Sequence, residues 1–502
     1  MKNTFFASFL NRFSMYKVIS ISLTVLFGIA LILSMTGALA FSPLAMIASV
    51  AVLGVTVWLT SMLFGLMFGV RVHAESSFIT AMILFFIFSP TLTVLGLLAL
   101  ALTGAVAGAS KFILVYKGRH IFNPAALAAF VIGILGISSV SWWIGTPVLI
   151  IPTLLLGLFI LQKTRRMSMG VTFIGIATIL VFFVMLSIGQ SIGQSLTLLL
   201  SWPIIFFAAY MLTEPLTLPG RKWQQLVEAA VVAIIFAVPF HIGEFATSLA
   251  FALIAGNLIA FGFARHQKIT LTFIERRKLT PTSYEFIFRP YRNYSYQPGQ
   301  YVEITVPHKK SDFRGNRRSF SLTSAPGEET MRLGIKFYEP SSTFKKALQT
   351  LQPGTVIQST GISGDFMMPK DSQVPVLYVA GGIGITPFIS HLQDLMRRHE
   401  TRDIVLVYSI RSIAECAYRD ILEASGITVV IVTKSDTPLA LPSHWIHINE
   451  LFMSQDAFMQ HIPDITRRIA FISGPPRMID GVKGQLKKLH VRNIKTDYFT
   501  GY

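Results

Sequence analysis

The chain has 502 residues, of which 52% are hydrophobic and only 14% are charged, and its formal net charge is +18. This composition excludes an ordinary water-soluble protein, because about a quarter of the residues of a soluble domain are charged. The positive charge by itself would suit a nucleic-acid binder. The basic residues instead cluster at the ends of apolar segments, so we predict a membrane protein with a lipid bilayer, and no nucleic acid, as its partner.

A single cysteine, Cys416, limits the redox chemistry that the chain can perform. One thiolate forms no internal disulfide and cannot hold a protein-bound iron–sulfur cluster. Haem is also not expected, because His73, His120 and His241 stand at the ends of apolar segments and form no pair within one segment. We therefore predict no metal site, and organic cofactors for any electron transfer. Cys416 is predicted to be buried rather than reactive.

Residues 1–268 contain about ten apolar segments of spanning or near-spanning length, which predict a polytopic α-helical membrane domain. Basic residues occur at every second boundary between the segments, and the intervening turns contain no Lys or Arg. This alternation predicts a multi-pass protein of the inner (cytoplasmic) membrane with both termini in the cytoplasm. The predicted spans are 17–40, 44–70, 77–90, 92–112, 122–137, 146–162, 168–188, 195–213, 225–241 and 246–264.

Three turns of this half carry polar residues with Pro or Gly at the mouths of predicted helices. They read RVHAESSFIT (71–80), KGRHIFNPAALAA (117–129) and MLTEPLTLPGR (211–221). Such helix starts either cap the helix or bind a phosphate or flavin, and the residues alone leave both interpretations open. The acidic residues of this half lie near span ends, which argues against a proton relay.

These turns resemble segments of the paired, homologous membrane subunits of the sodium-pumping NADH:quinone reductase and of the Rnf complex. The resemblance implies a second flavin, FMN or riboflavin, in the membrane domain, with Arg119 and Asn123 as candidate contacts. In that family a Thr commonly carries FMN covalently. Thr146 stands near the expected place, but the surrounding motif is missing, so we expect a non-covalent flavin. Trp142 and Trp143 are predicted to be anchors at the membrane interface.

Residues 269–372 change to alternating strands, which predict a small antiparallel β-barrel. The sequence RRSFS at 317–321 resembles the R-x-(Y/F)-(S/T) motif of the ferredoxin–NADP⁺ reductase superfamily, and this implies a bound FAD. Arg318 would hold the FAD pyrophosphate, Phe320 would stack on the isoalloxazine, and Ser321 would approach the reacting flavin nitrogen. The same resemblance adds further candidate contacts, which are Tyr301, Lys336, Ser342 and Thr343.

Residues 373–502 alternate strands and helices, which predicts a doubly wound α/β domain that binds NAD(P). The turn VAGGIGITP would cradle a dinucleotide pyrophosphate through Gly381, Gly382, Gly384 and Thr386. Candidate contacts with the ribose or adenine are Tyr408 and Arg411, which follow the next strand. By resemblance to the same superfamily, Ser473, Gly474 and Pro475 would lie beside the nicotinamide, Asp497 would occupy the acid position of the tail, and Tyr502 would cover the flavin.

Together these features predict a flavoprotein oxidoreductase that takes a hydride from cytoplasmic NADH or NADPH to FAD. The candidate catalytic residues are Ser321, Ser473 and Tyr502. Electrons would then pass into or across the membrane to a quinone or an extracytoplasmic acceptor. Two alternatives remain, a quinone reductase at the inner face without transmembrane transfer and a redox-gated transporter of a solute or ion.

Overall fold

In the computed structural model the chain forms two compact units, one within Phe5–Gln267 and one within Lys268–Tyr502. The structure describes residues 13–69, 72–116, 119–215, 217–242, 245–263, 269–308, 312 and 316–498. The division falls where the sequence changes from apolar segments to alternating strands.

The amino-terminal unit is helical, and each of the ten apolar segments forms a helix or, for the eighth, a broken pair. Local sequence explains where several helices begin, since Ser14, Ser42 and Asn123 accept hydrogen bonds from the first turns that follow them. The helices are α1 (Met15–Met35), α2 (Pro43–Met67), α3 (Ala74–Ile87), α4 (Val94–Ile113), α5 (Pro124–Ile134), α6 (Ile150–Thr164), α7 (Met167–Ser187), α8 (Ile192–Leu199), α9 (Ile204–Phe206, continuing as a π-helical turn, Phe207–Met211), α10 (Lys222–Ala237) and α11 (Leu249–Phe263).

Within the described ranges, five helices are long and apolar enough to cross a membrane, namely α1, α2, α4, α6 with its preceding turn, and α7. A sixth crossing results if α8 and α9, which meet at a bend of 42°, count as one span. Helices α3, α5 and α11 are apolar but shorter. These lengths indicate a membrane protein, whereas ten spans and cytoplasmic termini stay predictions.

Aromatic side chains fill much of the interior of this unit. The indole N–H of Trp143 donates to the carbonyl oxygens of Phe85 at 2.6 Å and Phe88 at 3.1 Å. Trp142 is also buried and lies 5.9 Å from the ring of Phe207. The prediction that both tryptophans anchor the membrane interface is therefore wrong. The end of α3 offers carbonyl groups without helical partners, and these satisfy the indole of Trp143 inside the unit.

The carboxyl-terminal unit begins with a six-stranded antiparallel lobe, here called the barrel lobe, in the order β4-β3-β6-β1-β2-β5. A single bridge between Leu322 and Leu333 links the two edge strands, and closure of a full barrel stays a prediction. The elements are β1 (Ile269–Thr280), β2 (Ser283–Pro290), β3 (Tyr301–Thr305), β4 (Arg317–Ser321), β5 (Met331–Lys336), α12 (Thr343–Gln349) and β6 (Val356–Ser363).

The second lobe, here called the nucleotide lobe, is a six-stranded parallel sheet in the order β10-β9-β8-β7-β11-β12. Alternate residues of the central strand β7 enter two separate cores, with Tyr378 in one and Val379 in the other, so both faces of the sheet are covered. This confirms the α/β prediction. The elements are β7 (Val376–Gly381), α13 (Thr386–Arg397), β8 (Ile404–Ser409), α14 (Arg419–Ala424), β9 (Thr428–Val432), β10 (Ile446–Ile448), α15 (Gln455–His461), β11 (Ile469–Gly474), α16 (Pro476–Lys488) and β12 (Ile494–Tyr498).

Close contacts join the two lobes near the start of α13. The Ser390 hydroxyl donates to the carbonyl oxygen of Ser324 at 2.8 Å. A Cβ at Gly334 of β5 would lie 2.6 Å from the methyl group of Thr386 and from the hydroxyl of Tyr418. Glycine at this position therefore lets the barrel lobe approach the first turn of α13.

Candidate functional site

The glycine-rich turn lies where the order of the parallel strands reverses. From β7 the chain proceeds through β8, β9 and β10 on one side and then returns to β11 on the other. Ala380 near the end of β7 pairs with Ser473 near the end of β11. In open α/β sheets a crevice forms outside the carboxyl ends of two such strands, and ligands bind there.

The three glycines of the turn have different roles. A Cβ at Gly384 would overlap the carbonyl oxygen of Ser473 and lie 2.7 Å from Cα of Gly474, so only glycine allows this close packing. A Cβ at Gly381 would instead meet side chains, the sulfur of Met478 and the ring of Pro475. Gly382 has a φ of +54° and no atom within 4 Å of its Cβ position. Gly382 thus faces open space, where a phosphate has room to bind.

Two hydroxyl groups lie beside this turn. Ser473 is completely buried, and its Oγ has no hydrogen-bond partner among the described residues. The hydroxyl of Thr386, at the start of α13, donates to the carbonyl oxygen of Ile383 at 3.2 Å. This hydroxyl is therefore already engaged in a hydrogen bond within the protein. Pro475 caps α16 and fixes the chain after Gly474. Because a buried hydroxyl without a partner calls for an explanation, Ser473 is the polar group of the crevice that fits a ligand.

The residues predicted to contact the ribose or adenine have different surroundings. Tyr408 is completely buried in the core of the nucleotide lobe, and its hydroxyl accepts a hydrogen bond from the Ala417 N–H at 3.3 Å. Burial raises the pKa of Tyr408 well above its usual value. The structure therefore does not bring Tyr408 to the site, because strand alternation turns its side chain into the core. Arg411 lies beyond the end of β8 and is exposed.

In the barrel lobe, Arg318 and Phe320 lie on one face of β4, as the alternation of a strand requires. The guanidinium carbon of Arg318 lies 5.2 Å from the ring centre of Phe344. The ring of Phe320 lies 6.1 Å from that of Phe344, and the two planes differ by 24°. The ring of Phe344 on α12 thus packs against both Arg318 and Phe320.

The start of α12 brings together residues that are distant in sequence. Thr343 donates from its backbone N–H to Oδ2 of Asp312 at 3.1 Å, and the Asp312 N–H donates to the Thr343 hydroxyl at 3.0 Å. Oδ1 of Asp312 lies 4.0 Å from Nη2 of Arg318. Ser342 caps α12 by accepting from the Lys345 N–H. Asp312 was not predicted from the sequence as a site residue, because no motif distinguishes it within its polar loop.

The two lobes meet at Ser321, whose hydroxyl donates to Oδ2 of Asp497 at 3.2 Å. Tyr301 is the cross-strand neighbour of Ser321 in the β3–β4 ladder. Ser321 is buried, and Asp497 belongs to the last strand of the nucleotide lobe. The candidate hydride-transfer residue and the predicted acid are therefore in contact, although 176 positions separate them in sequence.

Lys336 has a structural partner. Its Nζ bonds to Oε2 of Glu415 at 2.5 Å, and only 9% of its side chain is exposed. Its backbone carbonyl accepts a hydrogen bond from Nζ of Lys345 at 2.6 Å. The ammonium group of Lys336 thus joins the barrel lobe to the nucleotide lobe, and the structure does not bring it to Arg318 and Thr343.

The candidate contacts in the amino-terminal unit are only partly described. Asn123 is buried, caps α5 and donates from Nδ2 to the carbonyl oxygen of Met211 at 3.5 Å. The hydroxyl of Thr146 donates to the carbonyl oxygen of Trp143 at 2.5 Å. The side chain of Arg119 lies outside the described residues, as does Tyr502.

The part of the chain that the structure describes contains neither a cluster of metal ligands nor a reactive thiol. No group of three or more His, Cys, Asp or Glu side chains there could hold a metal ion. Burial raises the pKa of the Cys416 thiol to about 12, which leaves it protonated at neutral pH. This agrees with the prediction that Cys416 is a buried residue.

Comparison with known proteins identifies the nucleotide lobe. Residues 378–484 match the family model described as the oxidoreductase NAD-binding domain. The flavohemoprotein of Halalkalibacterium halodurans is 29% identical over 123 residues, which are 23% of this chain and 29% of that protein. The reductase subunit of an aromatic O-demethylase from Amycolatopsis is 26% identical over 218 residues, which are 41% of this chain and 61% of that protein.

Among solved structures, the flavohem-like FAD/NAD-binding domain of nitric oxide dioxygenase from Vibrio cholerae is 20% identical, with a TM-score of 0.40. The similarity covers 46% of this chain and 98% of that one. The chain spans less than two thirds of the length of either curated relative named above. The carboxyl-terminal unit thus contains a match to the oxidoreductase NAD-binding domain and is similar in sequence to the reductase subunit named above.

Proposed function

We propose that this chain is a membrane-bound NAD(P)H-dependent flavoprotein oxidoreductase. The observation that carries the proposal is the contact between Ser321 and Asp497, beside the crevice formed by the ends of β7 and β11. The contact joins the RRSFS segment of the barrel lobe to the lobe that matches the oxidoreductase NAD-binding domain, which supports the proposal. A hydride donor and a flavin need such an arrangement, because the reacting atoms must lie about 3–3.5 Å apart.

Each residue then has a defined task. The turn at Gly382 receives the pyrophosphate of NAD(P)H, and the unpaired hydroxyl of Ser473 orients the nicotinamide amide. Arg318 and the N–H of Thr343 hold the FAD pyrophosphate, which requires Asp312 to move away from them. FAD, when bound, accepts a hydride and passes electrons on singly. The carboxylate of Asp497 orients the hydroxyl of Ser321 by accepting a hydrogen bond from it.

The amino-terminal unit would receive the electrons. Its apolar helices suit the inner membrane, with both termini in the cytoplasm, where NADH and NADPH are found. A hydrocarbon core of about 30 Å is too wide for one efficient electron transfer, so a second flavin is proposed as the intermediate carrier. Asn123, buried at the start of α5, caps that helix, so the proposal of a flavin near it rests on the resemblance of its segment to the membrane subunits named above. The final acceptor is proposed to be a quinone or an extracytoplasmic oxidant.

Flavin quantitation with an absorption spectrum of the detergent-purified full chain tests this proposal. We expect two flavins per chain, FAD and one FMN or riboflavin, both reduced when NADH or NADPH is added. One FAD per chain with rapid reduction of a soluble quinone would instead favour a quinone reductase at the inner face. Absence of FAD, or FAD that NADH and NADPH both fail to reduce, would contradict the oxidoreductase proposal.

A further inference from the structure

Helix α10 of the amino-terminal unit buries a carboxyl group. Glu228 is completely buried, and neither carboxyl oxygen has a hydrogen-bond partner in the described part of the chain. After the following alanines the helix continues with only Val, Ala, Ile and Phe. An ionised carboxylate in such surroundings is costly unless a cation or a proton compensates its charge. Glu228 lies in the first half of α10, so it is near a span end, as the sequence indicated, and is nevertheless completely buried.

The charged surroundings of Glu228 are sparse. Helix α10 packs against α7 and α11, and neither of these contains a charged residue. Among the described charged groups, the guanidinium of Arg166, just before α7, interacts electrostatically with Glu228. Its Nη1 donates to Oε1 of Gln225, which stands about one turn before Glu228 on α10, and Nε2 of Gln225 donates to the Pro219 carbonyl at 2.9 Å. The guanidinium is thus held near Glu228 without a hydrogen bond to its carboxylate.

The facing helix approaches the carboxyl group closely. A Cβ at Gly256 of α11 would overlap Cγ2 of Val232 and would lie 3.6 Å from Oε1 of Glu228, so glycine lets the backbone of α11 pack against α10 at this point. The next residue, Asn257, is 1% exposed, and its Nδ2 has no partner among the described residues. Oδ1 of Asn257 accepts a hydrogen bond from the backbone N–H of Asn123 at 2.8 Å. Among the described residues, a buried acceptor on α10 and a buried donor on α11 therefore both lack a hydrogen-bond partner, and the side chain that carries the donor contacts the start of α5.

We propose that Glu228 is a redox-linked proton-binding site: its carboxylate binds a proton when electrons enter the amino-terminal unit and releases it when they leave. The inference rests on the proposed function, since it requires an electron carrier in this unit. Each electron adds negative charge to an interior of low dielectric constant, and a proton from water offsets that charge. One O–H bond forms at Glu228, which is neither oxidised nor reduced, and the guanidinium of Arg166 attracts the ionised form.

Redox-difference infrared spectroscopy of the detergent-purified full chain, reduced with NADH in H₂O and in D₂O, tests this site. We expect reduction to produce the C=O stretching band of a protonated carboxylic acid, shifted in D₂O. Glu228→Gln should lack the band, and Glu228→Asp should move it. Glu75→Gln, which alters a half-exposed carboxylate of the same unit, should retain it. With a pH-sensitive dye, Glu228→Gln should take up about one proton fewer per reduced chain than the wild type.

The outcomes separate this inference from the proposed function. If the membrane flavin is reduced but no carboxylic acid band appears, or the band persists in Glu228→Gln, the proton site is wrong and the proposed function stands. If no flavin is reduced in the amino-terminal unit, the proposed function fails and the inference with it. Should Glu228→Gln fail to fold, an absent wild-type band, or a band unmoved in Glu228→Asp, would overturn the proton site.

Discussion

Buried charged side chains of the two units differ in their partners, as Arg468 and Glu228 illustrate. In the carboxyl-terminal unit, Arg468 bonds to both carboxylate oxygens of Asp403, at 2.8 and 3.0 Å, and to Asp464 at 2.9 Å. Lys336 is paired with Glu415. In the amino-terminal unit, Glu228 is buried more completely and has no hydrogen-bond partner in the described part of the chain. A paired charge is explained by its partner, whereas an unpaired one in an apolar interior points to function.

The units also differ in how a ligand site is built. The crevice of the nucleotide lobe depends on backbone positions that no side chain can occupy, as at Gly384. The flavin site proposed for the amino-terminal unit would depend instead on helix starts, such as the one capped by Asn123, and on apolar packing. Rigid backbone sites fail abruptly when one residue changes, while a site formed by many weak contacts weakens gradually. The following predictions test this contrast.

The largest effect is expected from Gly382→Val. A β-branched residue at a φ of +54° is strained and projects into the space proposed for the pyrophosphate. We expect KM for NAD(P)H to rise by about tenfold to a hundredfold, since such strain costs about 1–3 kcal/mol. Steady-state kinetics measure this, with flavin content as the control that should not change. Unchanged kinetics would show that the turn faces something other than the dinucleotide.

Arg318→Ala should deplete FAD from the barrel lobe. Charge-assisted hydrogen bonds contribute about 1.5–3 kcal/mol, so FAD affinity should fall by about tenfold to a hundredfold. Arg317→Ala is the matched control, because the neighbouring side chain points to the opposite face of β4. Fluorescence titration of the flavin-depleted protein gives both affinities. Equal losses in the two variants would contradict a specific role for Arg318, and loss of the membrane flavin in Arg318→Ala would contradict independent sites.

Ser321→Ala should slow reduction of FAD by about tenfold, equivalent to about 1.4 kcal/mol, without loss of FAD. The variant removes the hydroxyl that Asp497 orients. Stopped-flow absorbance after mixing with NADH measures the step directly. Asp497→Asn retains an oxygen acceptor and should have the smaller effect. A normal rate in Ser321→Ala would mean that the contact only joins the lobes.

Asp312→Asn should strengthen FAD binding by about threefold to tenfold, the equivalent of about 1 kcal/mol. The carboxylate of Asp312 accepts from the Thr343 N–H and approaches Arg318, so it competes with an anionic pyrophosphate for both groups. The same fluorescence titration decides, with Glu329→Gln as a control elsewhere in the barrel lobe. Weaker binding in Asp312→Asn would show that Asp312 supports the site rather than competes for it.

The smallest effect is expected from Thr146→Ala. The hydroxyl of Thr146 is engaged with the carbonyl of Trp143, so the flavin of the amino-terminal unit should remain and be released by acid precipitation. Flavin in the supernatant after precipitation is the measurement. Flavin that stays with the wild-type precipitate and is lost in Thr146→Ala would establish covalent attachment instead.

The sequence by itself determined the elements and the nucleotide turn. Apolar segments predicted the positions of the helices α1–α11, because a helix in a membrane must satisfy its own backbone and therefore needs a continuous apolar run. Gly381, Gly382 and Gly384 were predictable for a similar reason, since close packing and a positive φ leave few residue types to choose from. Strand alternation placed Arg318 and Phe320 on one face before any contact was known.

Only the tertiary structure decided which polar residues meet. The side chain of Tyr408 lies in a core, and Lys336 pairs with Glu415. Ser321 contacts Asp497, although 176 positions separate them in sequence. Burial of Trp143 depended on free carbonyls at the end of a different helix. The isolation of Glu228 likewise follows from the absence of charge on α7 and α11. Periodicity reports which face of an element is apolar, but partners of a polar atom lie on other elements, so their identity emerges only when the elements pack.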